Sequence, residues 1–272
     1  MFKKILSLFF GLIILAWVSF SAILYYGQDK HLFYPTPVNV ENMADFKEYD
    51  VSFEREGVTL YGWLIGPERV SENNPLLVYY GGNGEDVSKH LPKRQRLTQT
   101  TSFLYIEYRG YGRSEGHPGQ QALVADARFI LEEVSRKYGI PMDHVVLMGR
   151  SLGTSIAIHT AHEHSVRGLV LITPFDSIQA IASEKYPYLP ISLLLKHPFN
   201  SVSLAHEIDR PVLMLMAEND GLVSRPHSEN LADNWGGELH RVIVPSVGHN
   251  TIVTEPGTWD AINQFMAMLA QQ

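Results

Sequence analysis

Cysteine is absent from this sequence of 272 residues, and so is any excess of positive charge. Without cysteine the chain has no disulfide bond, no thiol nucleophile and no thiolate ligand for a metal. The net charge of −7 at pH 7 argues against a nucleic-acid partner and provides no attraction to anionic lipid headgroups. Charged residues make up only 19% of the chain and apolar residues 45%, which excludes a disordered protein. The compartment stays open, because a periplasmic protein can also lack cysteine.

The N-terminus begins with a long hydrophobic run. Lys3 and Lys4 precede an uncharged, mostly apolar segment from Ile5 to Tyr26, and about 22 residues can cross a ~30 Å hydrocarbon core as a helix. A secretory signal has a shorter apolar region of about 7–15 residues, so we expect residues 1–30 to form a retained membrane anchor. The alternative is a cleaved signal peptide, with small residues near Ser19–Ala22. The two lysines predict a cytoplasmic N-terminus and a catalytic body on the periplasmic, extracytoplasmic side.

Strands alternate with helices in residues 31–272, which predicts one α/β domain with a mostly parallel, doubly wound sheet. Glu48–Arg55 and Val58–Ile65 are typical of an antiparallel hairpin at the sheet edge. A polar helix is expected over residues 86–98. The segment 176–209 interrupts the alternation with a sequence rich in Tyr, Pro and Leu. We predict that it forms a small cap over the strand ends, the alternative being one crossover helix with a long loop.

The motif Gly149-Arg-Ser151-Leu-Gly153 follows the continuously apolar run Val145–Met148 and precedes a helical pattern. In this context Gly-x-Ser-x-Gly is typical of a nucleophile elbow, which lifts a serine hydroxyl above the carboxyl edge of a parallel sheet. The two glycines remove side chains that would clash in the turn. The alternative is a serine in an ordinary strand-to-helix turn.

A serine nucleophile needs a base and an acid that orients the base. In this arrangement the three follow in the order Ser, acid, His, each in a loop after a strand. Asp220 and His249 supply that order, each just beyond the end of a predicted strand, so we predict a triad of Ser151, Asp220 and His249. Glu218 and Asp176 are rival acids.

The oxyanion of an acyl-transfer intermediate would be bound by backbone N–H groups. We expect one from Leu152, which follows the nucleophile, and one from Asn83 in the glycine-rich loop after Tyr80. Gly82 lets the backbone of that loop approach a substrate carbonyl. The loop lacks the Lys-Ser/Thr pair of a P-loop.

No metal or cofactor is expected. The cluster of His159, His162 and His164 has spacings of three and then two residues. A helical zinc pair would instead lie at i and i+4 with an accompanying Glu, so a solvated helix end is the better interpretation.

The chain resembles the α/β-hydrolase superfamily, and within it the membrane-anchored serine hydrolases related to serine aminopeptidases and prolyl oligopeptidase-like enzymes. Eukaryotic relatives of that group include protein depalmitoylases. Two positions differ from the group: Gly81 stands where His is usual, and Glu107 where Asp is usual. The resemblance covers roughly residues 31–270 and rests on Phe33-Tyr-Pro35, Gly82-Asn83, Tyr108–Gly116, Gly149–Gly153, Asp220 with His227–Leu231, and Gly248-His249.

The pattern and the resemblance together predict a serine hydrolase that cleaves carboxylic esters or thioesters of short to medium acyl chains through an acyl-enzyme. The expected partners are a small acyl ester or lipid-like substrate and the membrane. Gly82, with Tyr188 and Leu194 of the cap, is expected to bind the substrate. Two alternatives stay open: a serine peptidase of short peptides, and a non-catalytic protein of this fold that binds lipid or a partner.

Overall fold

A computed structural model describes residues 2–38 and 40–271, with the side chains of residues 40–42 left aside. The chain begins with the helix α1, Phe2–Leu32, which is longer than the apolar run because no proline occurs before Pro35. Almost all of its large apolar side chains are exposed, and it is long and apolar enough to cross a membrane.

Within the described residues the strands form one mixed sheet in the order β1-β2-β4-β3-β5-β6-β7-β8. β1 pairs with β2, and β2 with β4, in antiparallel fashion, and the other neighbours are parallel. The hairpin turns at Glu56 and Gly57, which both have positive φ, as a two-residue hairpin loop often requires. The strands are Asp50–Arg55, Val58–Ile65, Leu76–Tyr80, Ser102–Ile106, Val145–Arg150, Gly168–Ile172, Val212–Ala217 and Leu239–Val244.

Helices cover both faces of the sheet, which makes the central strands apolar on both sides. Leu76 and Val78 of β3 pack into one core cluster with α2 and α3, whereas Leu77 and Tyr79 pack into the other with α8. The helices after α1 are α2 Gln120–Tyr138, α3 Leu152–Ala161, α4 Ile178–Lys185, α5 Ile191–Leu194, α6 Val202–Ala205, α7 Arg225–Asp233 and α8 Pro256–Leu269. The predicted fold class is confirmed.

The prediction of one helix over residues 86–98 is wrong. Two short 3-10 helices, Val87–His90 and Pro92–Arg96, occupy this stretch. Pro92 lacks a backbone N–H and restricts Leu91, so a continuous α-helix cannot pass through this point without breaking its hydrogen bonds.

The segment 176–209 forms three short helices, α4, α5 and α6, instead of one crossover helix. α4 contacts α5, and α5 contacts α1, whereas α6 returns to α3 and α7. We call α4, α5 and the turn between them the cap. It lies on the side of the sheet where β5, β7 and β8 end.

Candidate active site

Ser151 lies at the sharp turn between β5 and α3. Its backbone has φ 49° and ψ −117°, a sparsely populated conformation that typically costs of order 1–3 kcal/mol and is common at nucleophile elbows. A Cβ atom at Gly149 would lie 2.3 Å from the Gly153 carbonyl oxygen, and one at Gly153 would lie 2.0 Å from the Tyr80 carbonyl oxygen. Both motif glycines are therefore required by close backbone packing.

Ser151, His249 and Asp220 form a continuous hydrogen-bonded chain. The Ser151 hydroxyl lies 2.8 Å from His249 Nε2, and His249 Nδ1 lies 2.8 Å from Asp220 Oδ2. The other carboxylate oxygen of Asp220 accepts the backbone N–H groups of Leu222 and Val223 at 2.9 and 2.8 Å. Burial alone would raise the pKa of Asp220, but the hydrogen bonds from His249 and the backbone outweigh it and lower the pKa. This carboxylate is thus held ionised beside the imidazole.

The two rival acids bind elsewhere. Glu218 accepts the backbone N–H of Ser246 at 2.8 Å. Asp176 lies 2.9 Å from His227 Nδ1, and the other ring nitrogen of His227 lies 2.7 Å from Glu184. His227 therefore connects α7 to Asp176 in the loop after β6 and to Glu184 of α4.

The loop after β3 lies against the nucleophile elbow. Leu152 is the first residue of α3. Its backbone N–H is therefore one of those in the first helical turn that have no hydrogen-bond partner within the helix. Gly82 and Asn83 line the same pocket as Ser151 and Leu152. The Gly82 N–H is already donated to Glu85 Oε2. Gly82 therefore contributes to the pocket only as a lining residue, and its small size leaves room for a substrate.

One tyrosine side chain and two backbone groups hold the Asn83 side chain in place. Its Oδ1 atom accepts the Tyr111 hydroxyl at 2.7 Å and the Tyr34 backbone N–H at 3.0 Å, and its Nδ2 atom donates to the Leu32 carbonyl at 2.6 Å. Tyr108 donates its hydroxyl to the Gly81 carbonyl at 2.8 Å. The Tyr108–Gly116 motif thus supports the loop that faces the nucleophile.

Glu107 is the residue that replaces the usual Asp in that motif. Its carboxylate accepts Arg113 Nε at 2.7 Å and the Arg113 backbone N–H at 3.2 Å. Burial raises the pKa of Glu107, and the Arg113 contacts only partly oppose that effect. A Cβ atom at Gly112 would lie 2.0 Å from Glu107 Oε1, so the longer acid fits because this position is glycine.

A buried ion cluster beside the site has no obvious signal in the sequence. Arg150 Nη1 lies 3.1 Å from Glu85 Oε2, and Arg150 Nη2 donates to Asn250 Oδ1 at 2.8 Å. The other Glu85 oxygen accepts the Tyr79 hydroxyl at 2.9 Å and contacts His90 Nε2. Burial favours the neutral form of Glu85, but the contacts with His90, Arg150 and the Gly82 N–H prevail and lower its pKa to about 2. This cluster joins the loop after β3, the elbow and the histidine loop.

A cavity of about 530 Å³ opens over Ser151 and His249. Its walls include apolar side chains from the end of α1, from the loop after β6, from α4 and from the loop after β7: Leu32, Phe175, Ile178, Ile181, Leu222 and Val223.

The cavity does not include Tyr188 or Leu194, which were expected to bind the substrate. Tyr188 is 89% exposed. Both residues lie beside α1, where the Tyr188 carbonyl accepts Trp17 Nε1 and the Leu194 carbonyl accepts Gln28 Nε2. The expectation assumed that the whole cap faces the pocket, whereas in the structure only α4 does.

The three clustered histidines point to separate partners. His162 pairs with Glu207 at 2.8 Å, His164 with Glu132 at 2.9 Å, and His159 with the Ser155 carbonyl at 2.7 Å. Over residues 2–38 and 40–271 there is no group of three His, Asp or Glu side chains arranged to hold a metal.

Comparisons with known proteins agree with this architecture. The family described as serine aminopeptidase S33 matches residues 76–198. An uncharacterized protein of Mycobacterium tuberculosis is 31% identical over 219 residues, which cover 79% of this chain and 78% of that protein. Protein bem46 of Schizosaccharomyces pombe is 27% identical over 259 residues, covering 89% of this chain and 87% of that protein.

Solved structures share the fold at low sequence identity. The Pyrococcus furiosus esterase Pf2001 matches with a TM-score of 0.68 at 20% identity and covers 88% of this chain and 100% of its own. An α/β hydrolase from a Medee basin deep-sea metagenome library matches with a TM-score of 0.62 at 16% identity, over 79% of this chain and 96% of that one. The solved structures share the fold, and the family match and the M. tuberculosis relative show that the chain belongs to the serine aminopeptidase-like S33 family of the α/β-hydrolase superfamily.

Proposed function

We propose that this hydrolase is a serine esterase or thioesterase that works through an acyl-enzyme. The observation that supports this most directly is the hydrogen-bonded chain from Asp220 through His249 to Ser151 at the carboxyl edge of the sheet. That order of acid, base and hydroxyl is what a serine nucleophile requires at neutral pH.

In the proposed reaction, Ser151 Oγ attacks the carbonyl carbon of the ester while His249 Nε2 takes the hydroxyl proton. The negative charge that develops on the carbonyl oxygen is stabilised by the backbone N–H groups of Leu152 and Asn83. His249 then returns the proton to the leaving alcohol or thiol, which leaves an acyl group on Ser151. A water molecule, deprotonated by His249, attacks this acyl-enzyme; the bond to Ser151 Oγ breaks, His249 returns the proton to Ser151 Oγ, and the acid is released. Asp220 keeps the imidazole oriented and stabilises its positive charge.

The apolar walls of the cavity favour an acyl chain over a polar group. Ile178 and Ile181 of α4 line the cavity together with Leu222 and Val223. Each buried CH₂ group contributes about 0.8 kcal/mol, so a few methylenes are enough to set a preference. We therefore expect short to medium acyl chains, up to about eight carbons, as substrates.

Residues 1–30 are proposed to anchor this hydrolase in a membrane. α1 is long and apolar, and its large side chains are exposed instead of packed in a core. Lys3 and Lys4 favour a cytoplasmic N-terminus, with residues 31–272 on the extracytoplasmic side.

A peptidase is the second candidate, because the matching family is described by a serine aminopeptidase. Recognition of a peptide amine would call for a carboxylate in the cavity. Glu85 lines the cavity, but it is already bonded to Arg150, His90 and the Gly82 N–H. The ester reading is therefore the stronger of the two.

Labelling of the full-length protein in membranes with a fluorophosphonate probe tests the nucleophile. The wild-type chain should be labelled and should hydrolyse p-nitrophenyl esters, whereas Ser151→Ala should do neither. Parallel assays with aminoacyl amides separate the two candidates. Cleavage of amides without cleavage of esters would favour the peptidase, and a labelled Ser151→Ala variant would exclude Ser151 as the nucleophile.

A further inference from the structure

The second half of α1 packs against the cap along one helix face. Trp17 Nε1 donates to the Tyr188 carbonyl at 3.2 Å, Ser21 is buried, and Gln28 Nε2 donates to the Leu194 carbonyl at 3.0 Å. These α1 residues are four and seven positions apart, which places them on the same side of a helix. α1 and the cap therefore run side by side, and the depth of α1 in a membrane determines the depth of the cap.

The cap segment beside α1 is uncharged and apolar. Residues 186–195, which we call the cap tip, contain no Asp, Glu, Lys or Arg. Three of its large side chains face outward, with Tyr188 89% exposed, Leu193 80% and Tyr186 45%. Single exposed apolar side chains are ordinary, but a cluster of large ones usually marks an interaction surface.

Lysines flank the cap tip on both sides. Lys185 Nζ lies over the Tyr186 ring at 5.8 Å, and Lys196 Nζ lies over the Tyr25 ring of α1 at 4.7 Å. Tyr and Lys side chains concentrate where a membrane protein crosses from hydrocarbon to headgroups. The Lys196–Tyr25 contact thus marks one level of the membrane surface along α1.

Helix geometry then gives the depth of the cap tip. Trp17 is eight residues before Tyr25, so it lies about 12 Å deeper along α1 at 1.5 Å per residue. The hydrocarbon of one leaflet is about 15 Å thick. The Tyr188 backbone, which is bonded to Trp17, would therefore lie well inside that leaflet.

The opposite arrangement, with the cap tip in water, leaves α1 too short. Residues 5–16, between the leading lysines and Trp17, extend only about 18 Å as a helix. This distance falls well short of the ~30 Å hydrocarbon core. A spanning α1 that stays docked on the cap must bring the cap tip into the lipid.

We infer that the cap tip is a second membrane-binding surface, which inserts Tyr188 and Leu193 into the hydrocarbon of the leaflet next to the catalytic body. The inference rests on the proposed role of α1 as the membrane span. It also orients the cavity, because Leu32, the last residue of α1, and Tyr34 just beyond it both line the cavity. Leu32 is seven residues beyond Tyr25, which sets the cavity about 10 Å above the hydrocarbon, at the height of the lipid headgroups.

Single-cysteine labelling tests this surface cleanly because the natural chain has no cysteine. The full-length protein would carry Tyr188→Cys or Leu193→Cys, labelled with the polarity-sensitive fluorophore NBD, in phosphatidylcholine vesicles. Asn73→Cys is the matched exposed control, in the turn before β3 at the opposite end of the sheet. Leu12→Cys in α1 reports on the anchor itself. Lipids with a spin label on the acyl chain quench the dye from inside the membrane, and iodide quenches it from water.

Labels at positions 188 and 193 should show blue-shifted emission, quenching by the spin-labelled lipid and protection from iodide, as the label at 12 should. The label at 73 should show the reverse. If the label at position 12 is quenched by the spin-labelled lipid but the labels at positions 188 and 193 behave like the label at position 73, the cap tip is not in the membrane. Protection from iodide without quenching by lipid would mean that a second protein copy covers the tip, which also overturns the inference. If the label at position 12 is not quenched by the spin-labelled lipid either, the proposal that α1 is a membrane anchor fails. None of these signals depends on turnover, so they stand apart from the role of Ser151.

Discussion

Arg150 Nη1 lies 3.1 Å from Glu85 Oε2, in a largely buried ion pair between the residue before the nucleophile and the loop after β3. The same Glu85 oxygen accepts the Gly82 N–H, and Arg150 also donates to Asn250, next to His249. Glu85 is therefore a positioning residue that holds three loops of the site in place relative to one another, although it takes no part in the proposed chemistry.

Glu85→Gln should lower kcat for p-nitrophenyl esters about 10- to 100-fold with little change in KM, because loops displaced by about 1 Å lose catalytic geometry. It should also lower the free energy of unfolding by about 3 kcal/mol or more, since the buried Arg150 charge loses its partner. Steady-state kinetics and urea unfolding check both effects. Glu68→Gln removes an exposed carboxylate that pairs with Arg69 and is the matched control. Equal kinetics in both variants would contradict the positioning role.

The low pKa of Glu85 predicts a loss of stability in acid. Its pKa is about 2 in the folded protein, against an ordinary value of 4.5. A carboxylate whose folded pKa is depressed contributes stability above its unfolded pKa and loses it as the pH falls toward the folded value. Urea unfolding between about pH 6 and about pH 2.5 should therefore show stability falling below about pH 4.5. The free energy of unfolding should depend less steeply on pH in Glu85→Gln than in the wild-type protein. An identical pH dependence would mean that other carboxylates account for it.

The strained turn at Ser151 predicts that glycine there increases stability. A residue other than glycine at φ 49° and ψ −117° costs about 1–3 kcal/mol, which glycine avoids at an entropic cost of about 0.5–1 kcal/mol. Ser151→Gly should thus be about 1 kcal/mol more stable than Ser151→Ala by thermal or urea unfolding. Both variants are inactive in the proposed mechanism, so activity does not complicate the comparison. A less stable glycine variant would mean that the turn is not strained.

The two buried acids predict opposite outcomes for the same substitution. Asp220→Asn should reduce kcat about 10⁴-fold, because the amide favours the wrong imidazole tautomer. Asp176→Asn should leave ester turnover within a few-fold, but it should cost about 1–3 kcal/mol of stability through its lost contact with His227. Kinetics and unfolding of the pair distinguish the two acids. If Asp176→Asn abolished turnover in a folded protein, the assignment of the acid would be reversed.

The parts of the fold that the sequence predicts well are those with strong local patterns. Val145–Arg150 is continuously apolar and runs into two glycines, so the strand and the elbow both follow from it. Asp220 and His249 could be placed because each follows an apolar strand, and parallel strands end at one edge. The helical spacing of Ile262, Phe265, Met266 and Leu269 likewise favours a last helix, and α8 spans Pro256–Leu269.

What could not be predicted depends on contacts between distant segments. Glu85 lies in a polar loop with its partner His90 only five residues away, but Arg150 comes beside it only when β3 and β5 pair. Tyr188 and Leu194 share the apolar character of Ile178 and Ile181, and composition alone does not tell which pair faces the cavity. That choice is made by the hydrogen bonds between the cap and α1.

The cavity lining predicts which cap residue controls acyl-chain length. Ile181 lines the cavity over Ser151, whereas Tyr188 is exposed beside α1 and lies outside the cavity. Ile181→Trp should fill the space of about two methylene groups and remove about 1.6 kcal/mol of chain binding, or about 15-fold in kcat/KM for octanoate relative to acetate. Tyr188→Ala should leave the profile for water-soluble p-nitrophenyl esters within about twofold, because it changes no cavity wall. A series of esters of increasing length, assayed with both variants and normalised by fluorophosphonate labelling, measures the difference. A profile that changes with Tyr188→Ala and not with Ile181→Trp would place the acyl chain along the cap tip instead of in this cavity.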